Sequence, residues 1–324
     1  MRIIFCGTPH FAVPSLRQLL AEPDFEVLAV MTQPDRPRGR GQRLAISPVK
    51  EVALAAGAPV FQPAKLRTDE VHRFFVEHAP DAVVIIAYGR MVPADLLPLP
   101  PLGWINVHAS LLPHYRGAAP IQWAVLNGET RTGITTMQID AGLDTGPVLE
   151  QLEFPIGPDE TTAELTDRLA EAGPSLLITS LRRLQSGDIC PVPQNHADAT
   201  FARPLKKQDG EISWDLSAGQ IYNRIRGLQP WPGAYSHFRG RTCHIWGRPA
   251  TTIPSADAGF VPLRFSPNDV AAPGSIVQGG SDYFVACGEK TRLCLEYLQM
   301  EGRKRLSASD FANGARYKPG EHFE

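Results

Sequence analysis

Asn106, His108 and Asp144 are the residues whose types and spacing best fit a chemical step. Asn106 and His108 stand two apart in Trp104-Ile105-Asn106-Val107-His108, a run with the composition of a strand, so their side chains leave the same face. Asp144 lies in Asp140-Ala141-Gly142-Leu143-Asp144-Thr145-Gly146, whose two glycines permit the sharp turns that bring a carboxylate inward. An amide, an imidazole and a carboxylate suit acyl transfer to an amine without a covalent intermediate. Such an attack needs a neutral amine, a donor aimed at the developing oxyanion and a path for the proton. An α-amine has a reference pKa of about 8, so near pH 7 most of it must first lose a proton. An imidazole can take that proton, an amide can donate to the oxyanion, and a carboxylate can orient or stabilise the imidazole. Residue by residue, a strand-end histidine also reads as a hydrogen-bonded structural group, and an aspartate between glycines as a turn former. No Gly-x-Ser-x-Gly marks a nucleophilic serine. Gly7-Thr8-Pro9-His10-Phe11-Ala12 lacks the second and third glycines of a dinucleotide fingerprint, which argues against a nicotinamide cofactor.

These residues need elements to position them, and the first half of the chain supplies an α/β pattern. Arg2 to Cys6, Glu26 to Thr32, Ala82 to Ala87, Trp104 to Val107 and Ile134 to Ile139 read as strands of a Rossmann-like parallel sheet. Helical spacing over Phe11 to Leu20, the Ser47-Pro48 start, Thr68-Asp69-Glu70 and the long amphipathic run Thr161 to Gln185 predict crossover helices. Ligands of open parallel sheets bind outside the carboxyl ends of the strands. Gly7, Gln33, Tyr88-Gly89, His108 and the Asp140 to Asp144 loop all follow strands there. From Ile189 to Pro204 the pattern dissolves into prolines and reads as a linker. Beyond it, a helix over Ala218 to Gly227 and short alternating segments predict a small OB-like β-barrel, interrupted by a Pro/Ala/Ser-rich loop over Thr251 to Ala272. The expected division is a catalytic domain over 1–189, a linker over 190–205 and a second domain over 206–324.

Composition narrows the class of protein. At 324 residues the chain exceeds the usual single domain, and 43% hydrophobic with 20% charged residues is an ordinary folding composition. No apolar run suits a signal peptide or a membrane span, and five scattered cysteines form neither a Cys-x-x-Cys pair nor a zinc spacing. The expectation is a cytoplasmic monomer with no structural metal. Residues 1–189 carry a net charge of −5 and residues 190–324 one of +3, together the formal −2, so the second part is the better polyanion partner.

Asn106-Val107-His108-Ala109-Ser110-Leu111-Leu112-Pro113 resembles the core motif of the folate-dependent formyltransferases, and Gly133 to Gly146 resembles their second motif. The resemblance implies catalytic roles for Asn106, His108 and Asp144 and a donor, 10-formyltetrahydrofolate. It places the pterin against Tyr88, Arg90, Met91, Val92, Ser110, Leu111, Leu112, Pro113 and Asp140. Those two motifs fix the chemistry and leave the acceptor open. Further stretches resemble the branch of the family that formylates initiator methionyl-tRNA. These are Gly7-Thr8-Pro9, Thr32 to Gly41, Ser47 to Lys50, Tyr115 to Pro120, Asp209 to Ile212 and Gln229 to Ala234. His10 stands where that branch leads one to expect an acid.

Arg36-Pro37-Arg38-Gly39-Arg40-Gly41-Gln42-Arg43 puts four arginines in eight residues with no acid among them. A charge run of this kind is commonly a solvated loop, but it can also lie along phosphates. The resemblance makes it the tRNA-binding insertion, with Arg36, Arg38, Arg40 and Arg43 joined by Lys206 and Lys207 of the second domain. Two rivals remain at this point. An N-formyltransferase acting on an amino-sugar nucleotide explains the triad and leaves the arginines idle. A non-catalytic RNA-binding module explains the arginines and makes the triad a coincidence.

Overall fold

The computed structural model of the chain describes residues 1–38, 43–250, 253–254, 260–261, 271–318 and 320–324. It divides into two compact units: Met1–Ile121 with Thr130–Gly157 and Glu164–Pro204, and Gln122–Glu129 with Pro158–Ala163 and Leu205–Glu324.

In chain order the elements up to the second unit's main segment are β1 (Arg2–Gly7), α1 (Val13–Ala21), β2 (Glu26–Met31), β3 (Arg36–Arg38), β4 (Arg43–Ala45), α2 (Pro48–Ala55), β5 (Val60–Phe61), α3 (Asp69–His78), β6 (Ala82–Ile86), β7 (Trp104–His108), β8 (Arg116–Gly117), α4 (Pro120–Leu126), β9 (Arg131–Gln138), β10 (Val148–Pro155), α5 (Thr162–Ser186) and β11 (Phe201–Ala202). Seven strands form one sheet in the order β10-β9-β7-β6-β1-β2-β5. The five from β7 to β5 are parallel, whereas β9 and β10 add antiparallel edges. The Ile134 to Ile139 segment expected in a parallel ladder therefore runs the other way. A connection containing β8 and α4 joins it to β7, and the loop through Asp144 returns the chain into β10. All five residues of β6 and five of six in β1 are buried, as strands covered on both faces must be. Side-chain caps start the helices where expected: Ser47 accepts from the Lys50 amide and Thr68 from the Val71 amide.

The stretch over 190–205, expected to be a linker, is packed structure up to Pro204. Val192 exchanges backbone hydrogen bonds with Val148, and β11 pairs in parallel with β8. Its prolines lack donors, yet Gln194 donates to the Asp144 and Gly146 carbonyls and Thr200 Oγ1 accepts from the Tyr115 amide.

The second unit continues with α6 (Ala218–Gly227), β12 (Tyr235–Phe238), β13 (Arg241–Pro249), β14 (Ile253–Pro254), β15 (Phe260–Val261), β16 (Ile276–Gly279), β17 (Asp282–Ala286), β18 (Arg292–Met300), β19 (Leu306–Ser307) and α7 (Ala308–Ala315). Its main sheet is antiparallel in the order β12-β13-β18-β17-β16, with β19 beside β18. Alternate residues Cys243, Ile245 and Leu293, Leu295 face a core completed by Ile221 and Ile225 of α6 and Phe311 of α7. Ser217 and Gln220 form a capping box that fixes the start of α6. Most of the Thr251 to Ala272 loop lies outside the described residues.

Candidate active site

Parallel pairing of β6 with β7 sets Ile85 beside Asn106, and antiparallel pairing of β7 with β9 sets His108 beside Thr135. His108 is 6% exposed, and its Nε2 lies 2.9 Å from the Tyr115 carbonyl oxygen. A carbonyl only accepts, so Nε2 carries the proton and donates, leaving Nδ1 as the nitrogen that can take one up. That Nδ1 faces Asp144 Oδ2 at 3.7 Å. The Asn106 side chain shares the strand face and has no side-chain hydrogen bond among the described residues.

The Asp144 loop is built by its own small residues. Asp140 Oδ1 accepts from the Gly142 amide at 2.9 Å and from Thr145 Oγ1 at 2.6 Å, closing the turn. A Cβ at Gly146 would stand 1.9 Å from the Gln138 carbonyl oxygen, so the chain can pass there only as glycine. Asp144 has a left-handed φ of 52°, a conformation that aspartate tolerates better than most residues. Its Oδ2 accepts from the Gly117 amide at 2.8 Å. The triad residues picked out by type and spacing are thus brought to one end of β7.

The residues assigned to folate divide in two. Arg90, Met91 and Val92 line a cleft of about 560 Å³ together with Lys65, Arg67 and Ala141. Met91 is 59% exposed there, an apolar surface open to a ligand. Arg90 is braced by Gln33 Oε1 at 3.1 Å and the Pro63 carbonyl at 3.1 Å. Tyr88 lies instead in the core with Ile4, Cys6 and Ile85. Its hydroxyl is buried without a partner, and burial pushes it well above the ordinary tyrosine range, with Cys6 adding to the shift and Arg90 opposing it. Ser110 is buried and donates to the His114 carbonyl, while Thr135 Oγ1 donates to the Ser110 carbonyl and accepts from the Leu112 amide. Ser110 to Pro113 therefore form a pinned turn, and the Asp140 carboxylate is engaged in its own loop. A larger groove of about 970 Å³ runs along α1 and α5, past Arg17, Glu171 and Arg182, and contains none of the strand-end residues.

Of the arginine run, β3 and β4 form a hairpin in which Arg36 pairs with Ala45 and Arg38 with Arg43 in register. Arg36 is exposed; Arg40 lies outside the described residues, as do the side chains of Arg38 and Arg43. The base of the hairpin is anchored by Asp35, whose carboxylate takes Lys50 Nζ at 2.6 Å and Gln62 Nε2 at 2.9 Å. Hydrogen bonds from Gln62 and from Lys50 hold its carboxyl below the usual carboxylate range. Lys206 and Lys207 are exposed at the start of the second unit's main segment.

Two buried residues of the site escaped the sequence reading. Arg116, 3% exposed, directs Nε and Nη2 at Gln194 Oε1 at 3.1 and 2.7 Å, and Gln194 Nε2 donates to the carbonyls of Asp144 and Gly146. Arg116 sits in a stretch that the family resemblance covers, but nothing in the local pattern marks Gln194. Among the described residues no cluster of three or more His, Cys, Asp or Glu side chains could hold a metal, and all five cysteines are free thiols. No helix among them is long and apolar enough to cross a membrane.

Residues 1–181 match the formyl transferase family and residues 204–316 match the formyl transferase C-terminal domain, so the class is that of a two-domain formyl transferase. Methionyl-tRNA formyltransferase of Koribacter versatilis is 49% identical over 98% of this chain and 96% of its own. That of Solibacter usitatus is 50% identical over 99% and 98%. Among solved structures, a sugar 3N-formyl transferase studied with dTDP and 5-N-formyl-THF shares the fold, with a TM-score of 0.61 at 16% identity over 94% of this chain and 99% of that one. The chain belongs to the methionyl-tRNA formyltransferase family.

Proposed function

We propose that the chain transfers the formyl group of 10-formyltetrahydrofolate to the α-amine of initiator methionyl-tRNA. The observation that carries the chemistry is the facing pair of His108 Nδ1 and Asp144 Oδ2 at 3.7 Å, beside the open amide of Asn106. The amine attacks the formyl carbon, and Asn106 donates to the oxyanion that develops. The amine's proton passes to His108 Nδ1, where the Asp144 carboxylate stabilises the imidazolium. Collapse of the tetrahedral intermediate breaks the bond from the formyl carbon to the folate N10, which takes up a proton and leaves.

The cleft at Arg90, Met91 and Val92 supports a folate donor, because it joins an apolar wall to cationic side chains that suit an anionic heteroaromatic ligand. The identity of 49% and 50% to methionyl-tRNA formyltransferases over nearly whole chains supports tRNA as acceptor, whereas the sugar enzyme shares only the fold. In this reading the Arg36 to Arg43 hairpin reaches the acceptor end. The second unit, read as an OB-like barrel entered through Lys206 and Lys207, holds more of the RNA. The test is transfer of labelled formyl from 10-formyltetrahydrofolate to charged initiator tRNA, with amino-sugar nucleotides as the competing acceptors.

A further inference from the structure

We infer that Gln194 and Arg116 are positioning residues for the transfer, locking the Asp144 loop and the His108 ring into one frame. The inference rests on the catalytic reading of Asp144 and His108 given above. Three consecutive residues carry the frame. The Tyr115 carbonyl accepts from His108 Nε2, the Gly117 amide donates to Asp144 Oδ2, and Arg116 between them turns inward. Its guanidinium meets Gln194 Oε1 through Nε and Nη2, with His196 Nδ1 3.1 Å from Nη2. The same glutamine closes the circuit from the other side, donating to the Asp144 carbonyl at 2.9 Å and the Gly146 carbonyl at 2.7 Å.

Gln194 is 8% exposed, and its amide is fully used: two donations from the nitrogen and two bonds accepted by the oxygen. A primary amide at this side-chain length meets both demands at once. Glutamate would keep the arginine interaction and set a negative charge against two carbonyls, and alanine would lose all four bonds. The frame is also sterically closed. A Cβ at Gly117 would stand 2.5 Å from the Ala202 carbonyl oxygen, so β8 is pressed onto β11. Gln194 lies between the two segments that match the formyl transferase family, which end at residue 181 and resume at 204. The connecting stretch thereby contributes to the site rather than merely spanning the domains.

A reacting group displaced by about 1 Å can cost on the order of 10²-fold in rate. Single-turnover formyl transfer by the full chain should fall about 10-fold to 100-fold in Gln194→Ala and Gln194→Glu. The KM values for donor and tRNA should stay within about twofold of wild type, because neither substrate is held by Gln194. Gln194→Glu retains the size of the side chain and serves if the alanine variant does not fold, with thermal unfolding recorded for both. A general loss of structure would lower turnover equally in any background, so the deciding readout is a double-mutant cycle with Asp144→Asn. The result expected is that Gln194→Ala costs less than about twofold once Asp144 has lost its charge. Multiplicative losses in the two backgrounds, or wild-type turnover in both Gln194 variants, would overturn the inference while leaving the formyl-transfer reading intact. Full turnover in Asp144→Asn alone would overturn the inference together with the catalytic reading of Asp144 on which it rests.

Discussion

His108 Nδ1 lies 3.7 Å from Asp144 Oδ2, while the opposite ring nitrogen is committed to the Tyr115 carbonyl. That separation exceeds hydrogen-bond length, so the pair interacts through charge once the imidazole is protonated. A ring held at Nε2 and open at Nδ1 is set to receive a proton on the side where a carboxylate can stabilise it. The neutral amide of Asn106, on the same strand face, is left to meet the oxyanion.

Replacing Asn106 by alanine should lower single-turnover formyl transfer by about 10²-fold to 10³-fold, the usual cost of losing one oxyanion donor. Replacing His108 should lower it by about 10²-fold to 10⁴-fold, the usual contribution of a general base. Binding of tRNA, measured separately by filter retention, should be unchanged. Near-normal turnover in both variants would remove these residues from the chemical step.

Asp144→Asn should impair turnover through loss of charge alone. Asparagine accepts the left-handed φ of 52°, and its carbonyl oxygen can still take the Gly117 amide, so the loop should keep its shape. Unchanged stability with lost turnover is the expected pattern in urea unfolding and in rate. Retained turnover would reduce Asp144 to a turn former.

Gly117→Ala should destabilise the chain by about 1–3 kcal/mol and slow transfer, since residue 117 has a φ of +120° and its added Cβ would meet the Ala202 carbonyl. Gly187, with a φ of +77° and open space around it, isolates the backbone contribution in a parallel Gly187→Ala variant. Equal losses in the two variants would mean that the packing of β8 on β11 is slack.

The anchor of the arginine hairpin should show itself in acid. The folded Asp35 carboxyl is held below its usual value, so its contribution to stability is fully present above the unfolded value of about 3.9 and is lost as pH falls through the lower folded value. Asp35→Asn should therefore melt below wild type at pH 7, with the gap closing below about pH 4. A gap independent of pH would show that Lys50 and Gln62 do not favour the ionised form.

Much of the architecture was legible because it rests on local periodicity and punctuation. Ser47 and Thr68 announce their helices, and the run through His108 reads as a strand because its apolar residues, Trp104, Ile105 and Val107, are aromatic or β-branched. β10 was missed because its residues are largely solvent-facing on the sheet edge and carry a weak apolar pattern. The direction of β9 was missed because pairing sense is a property of connections rather than of composition. Asn106, His108 and Asp144 could be singled out as candidates because strand ends and glycine turns mark them. Gln194 gave no sign, since one of several polar residues in Gln194-Asn195-His196 acquires its role only when Arg116 and the Asp144 loop meet it in space.

The most direct measurement is the initial rate of formyl transfer from 10-formyltetrahydrofolate to charged initiator tRNA, set beside the rate with amino-sugar nucleotides at matched concentration and over a range of salt. The expected result is rapid transfer to the tRNA and none above background to the sugars. Transfer to tRNA should weaken as salt rises, and removal of Arg36, Arg38, Arg40 and Arg43 should flatten that dependence by about 0.7 to 0.9 in log-log slope for each phosphate no longer neutralised. Transfer to an amino-sugar nucleotide at the higher rate, or transfer to tRNA with wild-type efficiency and salt dependence after those four arginines are replaced, would contradict tRNA as the acceptor this chain is built to engage.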